Sequence, residues 1–223
     1  MRNKFEQELE AVKVNLAKMG AMCENGIDMA INMIAKPSTA LEAAISETEQ
    51  EIDDMESQIE SQCLKLFMRE QPVASDLRAV SAAMRMISDL ERIGDHAEDI
   101  AEVAKYLAPG VQSNRSMREI EEMSKAASEM VRNAVKAYVE RDLELADSVR
   151  KADDVVDSYF ASIKKDIAED ISKNVESAQQ GLDSLMVAKY LERIGDHSVN
   201  LAEWVRFMIT GSRYEKEKFQ KTY

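Results

Sequence analysis

Residues 90–96 read LERIGDH, and the same seven letters return unchanged at residues 191–197. Both histidines of the chain close these segments, one in each. An identity of this length within one chain indicates an internal duplication, and therefore two structural units of the same kind. Around each copy, apolar residues recur at alternating spacings of four and three, as in helices that pack along a coiled-coil-like seam. The segment thus predicts two equivalent helices, one in each half of the chain.

The composition favours an all-α fold, because the 223 residues include only seven glycines and three prolines. We expect Pro72 at the first position of the third helix, Asp142 as the N-cap of the fifth, and Gly211 just after the sixth. Apolar periodicity predicts six helices, at about residues 3–36, 39–70, 72–107, 117–140, 143–171 and 175–209.

Short connections between long helices place consecutive helices antiparallel to one another. The predicted fold is therefore an all-α tandem repeat of two antiparallel three-helix bundles packed into one body. We expect the first three-helix unit over residues 1–110, where Pro109-Gly110 ends it, and the second over residues 111–211. Residues 212–223 form a charged C-terminal tail that we expect to be loosely held.

The charge of the chain limits its partners and its location. A net charge of −13 argues against a nucleic-acid partner, because the 42 acidic residues would repel phosphates. No apolar run approaches the roughly 20 residues of a membrane span, and no signal peptide is visible. We therefore expect a cytoplasmic protein in which the isolated thiols of Cys23 and Cys63 are reduced core residues.

Pairs of acidic residues four positions apart are the main functional signal. Such a pair lies on one helix face, where two like charges repel by roughly 0.2–0.5 kcal/mol. Each LERIGDH copy carries one pair, and the preceding helix of each half carries another. A helical wheel places Glu192 and Asp196 opposite the apolar seam, so we do not expect them to be buried. The candidate ligands are Glu49, Asp53, Glu91, Asp95 and Asp99 in the first half, and Asp153, Asp157, Glu192 and Asp196 in the second, where Asn200 replaces the acid matching Asp99.

Two interpretations of these acids compete, and the missing cationic partners and the duplicated arrangement favour a metal site. A solvated acidic surface is one, but acids on such a surface usually have Lys or Arg three or four positions away, and Glu49 and Asp157 have none. A metal site is the other: carboxylates suit Mg²⁺, Mn²⁺, Fe or Ca²⁺, whereas zinc usually comes with Cys or several His. A ferritin-like di-iron centre is excluded, because the chain contains no Glu-x-x-His step.

Other residues of the duplicated segment fit structural roles better. We interpret His96 and His197 as exposed or helix-packing residues rather than ligands, since they lie on a different angular sector from the acids. Arg92 and Arg193 are expected to brace the acids or a neighbouring helix. Glycine inside a helix lowers its stability by about 1 kcal/mol relative to alanine. The glycines at positions 94 and 195 therefore predict that the backbone of a neighbouring helix approaches closely there.

These features together resemble the PhoU family of accessory proteins of phosphate-specific transport systems. The resemblance is carried by two three-helix units with paired acids on their second and third helices, by the stretch QPVASDLR at residues 71–78, and by both ERIGDH segments. It covers essentially the whole chain. It implies a cytoplasmic negative regulator of phosphate uptake and of the phosphate regulon.

The resemblance also implies cofactors and partners. Family members hold multinuclear metal clusters, often of iron, so the nine acids named above would be metal ligands, with Mn, Mg or Zn as alternatives to Fe. The expected partners are the ATPase subunit of a phosphate ABC transporter and a phosphate sensor histidine kinase. Contact with the membrane would come only through these partners, and we expect a homodimer.

The sequence favours a regulatory binding protein over an enzyme. It shows no nucleophile–base pairing and no glycine-rich loop that could cradle a phosphate. A metal-dependent phosphohydrolase is the rival class, because clustered carboxylates holding two metals could polarise a phosphoryl group. A PhoU-like accessory of a different phosphate transporter is a further alternative.

Overall fold

The computed structural model describes residues 2–70, 72–107 and 115–213, and these ranges are helical apart from short connections, with no strand. A 3₁₀ turn at Val175–Ser177 precedes the last helix. Every helix end that falls in these ranges lies within three residues of its predicted position, and the all-α prediction is confirmed. The six helices are α1 (Arg2–Ala35), α2 (Thr39–Glu70), α3 (Ser75–Ala104), α4 (Arg115–Glu140), α5 (Leu143–Lys173) and α6 (Ala178–Thr210).

The helices pack as two bundles of three. Helices α1, α2 and α3 contact one another in the first bundle, and α4, α5 and α6 do so in the second. The bundles meet through α3 against α6 and through α1 against α4. The two helices that carry LERIGDH are therefore the central pair of the molecule, each packed on three neighbours. The predicted repeat of two three-helix bundles is confirmed.

The apolar seams of α3 and α6 form the centre of the core. All twelve seam positions, from Leu90 to Leu107 and from Leu191 to Met208, are buried, and one hydrophobic cluster runs through both bundles. Cys23 and Cys63 are free and buried, and the Cys23 thiol donates to the Leu90 carbonyl over 3.2 Å. Burial raises the pKa of the Cys63 thiol to about 12, so both cysteines are core residues, as predicted.

Two of the three predictions for residues at helix ends are correct. Asp142 accepts a hydrogen bond from the Leu145 amide over 3.0 Å, and Gly211 ends α6 with φ of 83°, so both predicted caps are confirmed. The prediction for Pro72 is wrong, because α3 begins at Ser75. Ala74 adopts φ of 49°, and the reversal of the chain takes up the residues between the proline and the helix.

Two predictions lie partly or wholly outside the described residues: the end of the first unit at Pro109-Gly110, and the loosely held tail beyond Arg213. Within the described ranges, none of the helices combines the length and the apolar character that crossing a bilayer requires.

Candidate metal centre

The duplicated glycines let the acid-bearing helices approach closely. A Cβ added at Gly94 would lie 2.9 Å from Ile52 Cδ1, and one added at Gly195 would lie 3.3 Å from Val156 Cγ1. The predicted close backbone approach is confirmed at both positions. Ile52 lies between the acids of α2, and Val156 lies between those of α5, so each crossing brings acids of two helices together.

In the first bundle, three predicted ligands converge. Glu49 and Asp53 of α2 and Asp95 of α3 each offer an oxygen atom, and these atoms all lie within 4.8 Å of one another. Asp53 is exposed, and the other two are partly buried. Burial, and then the charges of Asp53, Glu98 and Asp95, raise the pKa of Glu49. We call these three residues the first acid group.

Glu91 and Arg92 flank the first acid group. Burial, and then the charge of Asp95, raise the pKa of Glu91, while Arg92 opposes that shift. Arg92 Nη1 donates to Asp95 Oδ2 over 2.7 Å, and its Nε lies 3.3 Å from Glu91 Oε2. The prediction that Arg92 braces the acids is confirmed. Arg92 thus supplies positive charge to Asp95 of the first acid group and to the neighbouring Glu91.

Sequence reasoning missed two acids of this neighbourhood. The charge of Glu98 contributes to the raised pKa of Glu49, and that of Glu56 contributes to the raised pKa of Glu91. Each lies three residues after a predicted ligand, Asp53 or Asp95, so extending the same helical faces by one turn would have found them. The matching positions of the second half hold Phe160 and Val199.

Asp99 lies on the side of α3 that faces α6. Its Oδ2 is 3.2 Å from His96 Nδ1, and the His96 ring packs against Tyr190 and His197, with ring centroids 5.6 and 5.7 Å away. Asp99 is not part of the first acid group. The interpretation of both histidines as helix-packing residues is confirmed, since they meet between α3 and α6.

The second bundle arranges its four predicted ligands differently. Burial, followed by the charges of Asp157 and Asp196, raises the pKa of Asp153 to about 7. Asp157 and Asp196 are exposed. Among the described residues, these acids do not bring three ligand atoms together as the first acid group does.

The expectation that Glu192 is not buried is wrong. Its exposed fraction is 8%, and it accepts a short hydrogen bond from Lys189, whose ammonium lies 5.5 Å from the centre of the Phe160 ring. The same expectation is correct for Asp196, which is exposed; it fails for Glu192 because α6 packs against α4 and α5 as well as α3, and these neighbours cover part of the face opposite the seam. Lys189 balances the charge of the buried carboxylate.

The chemistry of the first acid group fits a hard cation. Its ligand atoms are carboxylate oxygens without thiol or imidazole, as Mg²⁺, Mn²⁺, Ca²⁺ and iron accept. A cation there would offset both causes of the raised pKa of Glu49, which are burial first and then the repulsion from neighbouring carboxylates.

Comparison with known proteins identifies the family. A family model described as the PhoU domain matches the chain twice, over residues 16–104 and 120–205. The chain belongs to the PhoU family. It is 36% identical over 215 residues to a phosphate-specific transport system accessory protein PhoU homolog of Clostridium acetobutylicum, covering 96% of this chain and 98% of that protein. A homolog of the same description from Synechocystis is 35% identical, with 95% and 94% covered.

Solved PhoU structures share the fold. The crystal structure of PhoU from Pseudomonas aeruginosa superposes with a TM-score of 0.86 at 31% identity, covering 93% of this chain and all of that one. The phosphate transport system regulatory protein PhoU from Streptococcus pneumoniae gives 0.85 at 26% identity, with 95% and 99% covered. PhoU proteins are transport accessory proteins rather than enzymes, so the prediction of a non-enzymatic protein is confirmed and the phosphohydrolase alternative falls.

Proposed function

We propose that this PhoU-family protein is a cytoplasmic negative regulator of phosphate uptake and of phosphate-responsive signalling that acts by protein contact. The observation that carries the proposal is the match to PhoU accessory proteins over nearly the whole chain, with both PhoU domains present. The proposed partners are the ATPase subunit of the phosphate transporter and the sensor histidine kinase, and the proposed assembly is a homodimer.

The test of this function is docking to the transporter. The tagged full-length protein is expected to co-purify with the transporter ATPase from cells grown in excess phosphate. Deletion of its gene is expected to raise phosphate uptake and to relieve repression of the phosphate regulon, and the wild-type gene should restore both. Unchanged uptake and transcription after deletion, together with no captured ATPase or kinase, would contradict the proposal.

We further propose that metal binding belongs to this function. The convergence of Glu49, Asp53 and Asp95 supports a site in the first bundle, which Glu91 and Asp99 would extend. A second site would use Asp153, Asp157, Glu192 and Asp196. Iron is the proposed physiological metal, with Mn, Mg or Zn as alternatives. Bound metal would supply positive charge and fix the relative position of the two acid-bearing helices of each bundle.

The first site is expected to bind metal more tightly than the second. Glu56 and Glu98 add negative charge only in the first bundle, whereas Lys189 already neutralises Glu192 in the second. Asp53→Asn with Asp95→Asn should therefore remove the tighter of two binding steps in calorimetry with Mn²⁺ and keep the weaker one. Metal at a hundredfold excess over Kd should stabilise the wild type by about 2.7 kcal/mol.

The matched control for that experiment is Asp54→Asn with Glu129→Gln. These two carboxylates are exposed and are not among the proposed ligands of either bundle. Replacing them removes the same two negative charges as the test variant does. It should keep both binding steps. Equal loss of Mn²⁺ affinity in the two double variants would mean that the acids act only through net charge, as a solvated acidic surface would.

A further inference from the structure

An open pocket of about 350 Å³ lies between α3 and α6, outside the first acid group. We call it the arginine pocket. Three of its lining side chains are positive and one is negative, in a chain of net charge −13. Its volume falls within the roughly 300–1,000 Å³ of small-molecule sites. It is lined by Arg85, Asp89, Arg92, Asn200, Trp204 and Arg213, with Ser88 at the side.

The three guanidinium groups keep donors for a ligand. Arg85 forms no ion pair with any residue in the described ranges, and its guanidinium carbon lies 5.9 Å from the centre of the Trp204 ring. Arg92 uses Nη1 and Nε for Asp95 and Glu91, and Arg213 uses Nη2 for Glu203. A guanidinium has five N–H donors, so the pairing of Arg92 and Arg213 leaves part of each fork unused.

The single carboxylate of the pocket is engaged through one of its two oxygens. Asp89 Oδ1 lies 2.9 Å from His197 Nδ1 and accepts a hydrogen bond from Asn200 Nδ2 over 3.2 Å. That amide has a second N–H, which remains available. The Ser88 hydroxyl donates to Glu56 instead. Donors therefore outnumber the acceptors left to meet a ligand, which are Asp89 Oδ2 and the Asn200 carbonyl.

Trp204 organises the arginines. The Arg213 guanidinium carbon lies 3.9 Å from the ring centroid, and Phe207 packs edge-on against the same indole at 6.0 Å. Guanidinium groups stack on aromatic faces because the ring presents negative charge there. Arg85 and Arg213 are thus held beside one ring before any ligand arrives.

The duplication shows that the fold does not require this arrangement. In the register of the two LERIGDH segments, the position matching Arg85 holds Met186, and the position matching Trp204 holds Val103. Both helices are central and buried in the same manner, yet the other end of their contact lacks the arginine and the indole. The repeat therefore does not require an arginine and an indole at these positions, although Trp204 also packs against the edge of the core.

We propose that the arginine pocket binds a multivalent oxyanion of the phosphate class, either free or as the phosphoryl group of a nucleotide. Arginine forks match such anions by paired charge-assisted hydrogen bonds, and the second amide N–H of Asn200 adds a neutral donor. The proposal goes beyond the regulatory function given above and does not depend on it.

Trp204 provides the measurement, because it is the only tryptophan of the chain. The full-length protein is titrated at low ionic strength with inorganic phosphate, sulfate and AMP, and tryptophan emission and calorimetry are followed together. We expect saturable binding that weakens as NaCl is added. Phosphate binding as tightly as AMP would assign the free oxyanion as ligand. AMP binding at least tenfold tighter would assign the phosphoryl group of a nucleotide.

Arg85→Gln is the decisive variant, because Arg85 is exposed and its replacement leaves the core intact. Loss of a charge-assisted hydrogen bond should weaken anion binding at least tenfold at an unchanged melting temperature. The control is Arg132→Gln, which removes an exposed arginine that pairs with Glu24 between α4 and α1. It should bind like the wild type. Absence of saturable binding by both methods would overturn the proposal, as would unchanged affinity in Arg85→Gln or an equal loss in Arg132→Gln.

Discussion

At the scale of single residues, the two acid groups differ in how their charge is balanced. Arg92 pairs with Asp95 of the first acid group, whereas Lys189 pairs with the buried Glu192 among the acids of the second bundle. Asp153 is partly buried among like charges, with Oδ1 3.2 Å from where a Cβ of Gly195 would lie. The sequence predicted which acids share a helix face, because that follows from 3.6 residues per turn. It did not predict the burial of Glu192, because burial depends on neighbours from elsewhere in the chain.

The raised pKa of Asp153 should make stability pH-dependent. An unfolded Asp ionises near 3.9, whereas folding raises the pKa of Asp153 to about 7. Between these values the native state binds more protons, so stability falls as pH rises and levels off above pH 7. In EDTA, Asp153→Asn should be more stable than wild type at pH 8 by about 1–2 kcal/mol, a value discounted for partial solvent exposure, and nearly equal at pH 4.5.

Urea unfolding at the two pH values checks this expectation. Asp170→Asn is the matched control, since Asp170 is exposed on the same helix and is not among the charges that raise the pKa of Asp153. Its stability curve should run parallel to that of the wild type. A parallel curve for Asp153→Asn as well would show that folding does not perturb the carboxyl.

At the scale of helices, the crossings of α2 with α3 and of α5 with α6 place the acids. Each crossing sets a glycine against a β-branched residue, Gly94 against Ile52 and Gly195 against Val156. The role of the glycines could be predicted from the sequence, because glycine inside a long helix lowers helix stability and close approach of a neighbouring helix explains its presence. The start of α3 could not, because no side chain caps this helix and the left-handed φ of Ala74 leaves no signal in an alanine.

Gly94→Ala should destabilise the protein although alanine favours helix. The helix gains about 1 kcal/mol, but the new methyl would lie 2.9 Å from Ile52 Cδ1 and 3.2 Å from its Cγ2. Ile52 is fully buried, so overpacking of roughly 1–3 kcal/mol should exceed the gain and leave a net loss of about 1 kcal/mol. Gly26→Ala is the control, because its methyl would meet only Ala97 Cβ at 3.4 Å.

Thermal unfolding of both variants in EDTA separates the two effects. Gly26→Ala should melt above the wild type, gaining about 0.5–1 kcal/mol from helix propensity alone. Gly94→Ala should melt below it. If both variants melted higher, the crossing would have room for a methyl group, and the acids of α2 and α3 would not depend on that glycine.

At the scale of the whole molecule, the duplication builds two bundles whose functional surfaces are not equivalent. The repeated segment predicted two equivalent halves, and the apolar periodicity with short connections predicted three helices in each. The arginine pocket could not be predicted in the same way. Its residues come from α3, from the end of α6 and from Arg213 just after it, more than 100 positions apart in the sequence, and only the packing of the two halves brings them together.

Arg92 connects the two surfaces, since it contacts Asp95 and Glu91 and also lines the arginine pocket. A cation on the first acid group would neutralise the carboxylates that hold Arg92 and would add positive charge beside the pocket. Both effects favour an anion in the pocket. Coupling free energies between sites correspond to roughly 5–150-fold in affinity, and they are reciprocal. Saturating Mg²⁺ should therefore tighten phosphate binding at least fivefold, and phosphate should tighten Mg²⁺ binding by the same factor.

The measurement is a phosphate titration of Trp204 fluorescence with Mg²⁺ and with EDTA, in wild type, Arg92→Gln, and Asp53→Asn with Asp95→Asn. The wild type should show the coupling. Arg92→Gln should lose most of it, because the residue shared by both sites is gone. The double variant should lose all of the coupling, since it no longer binds the cation. It also serves as a control, because any direct association of Mg²⁺ with phosphate in solution affects the double variant and the wild type equally. The two surfaces would be independent if the Kd for phosphate in the wild type were the same with Mg²⁺ and with EDTA. They would also be independent if Mg²⁺ changed this Kd by the same factor in the wild type and in the double variant.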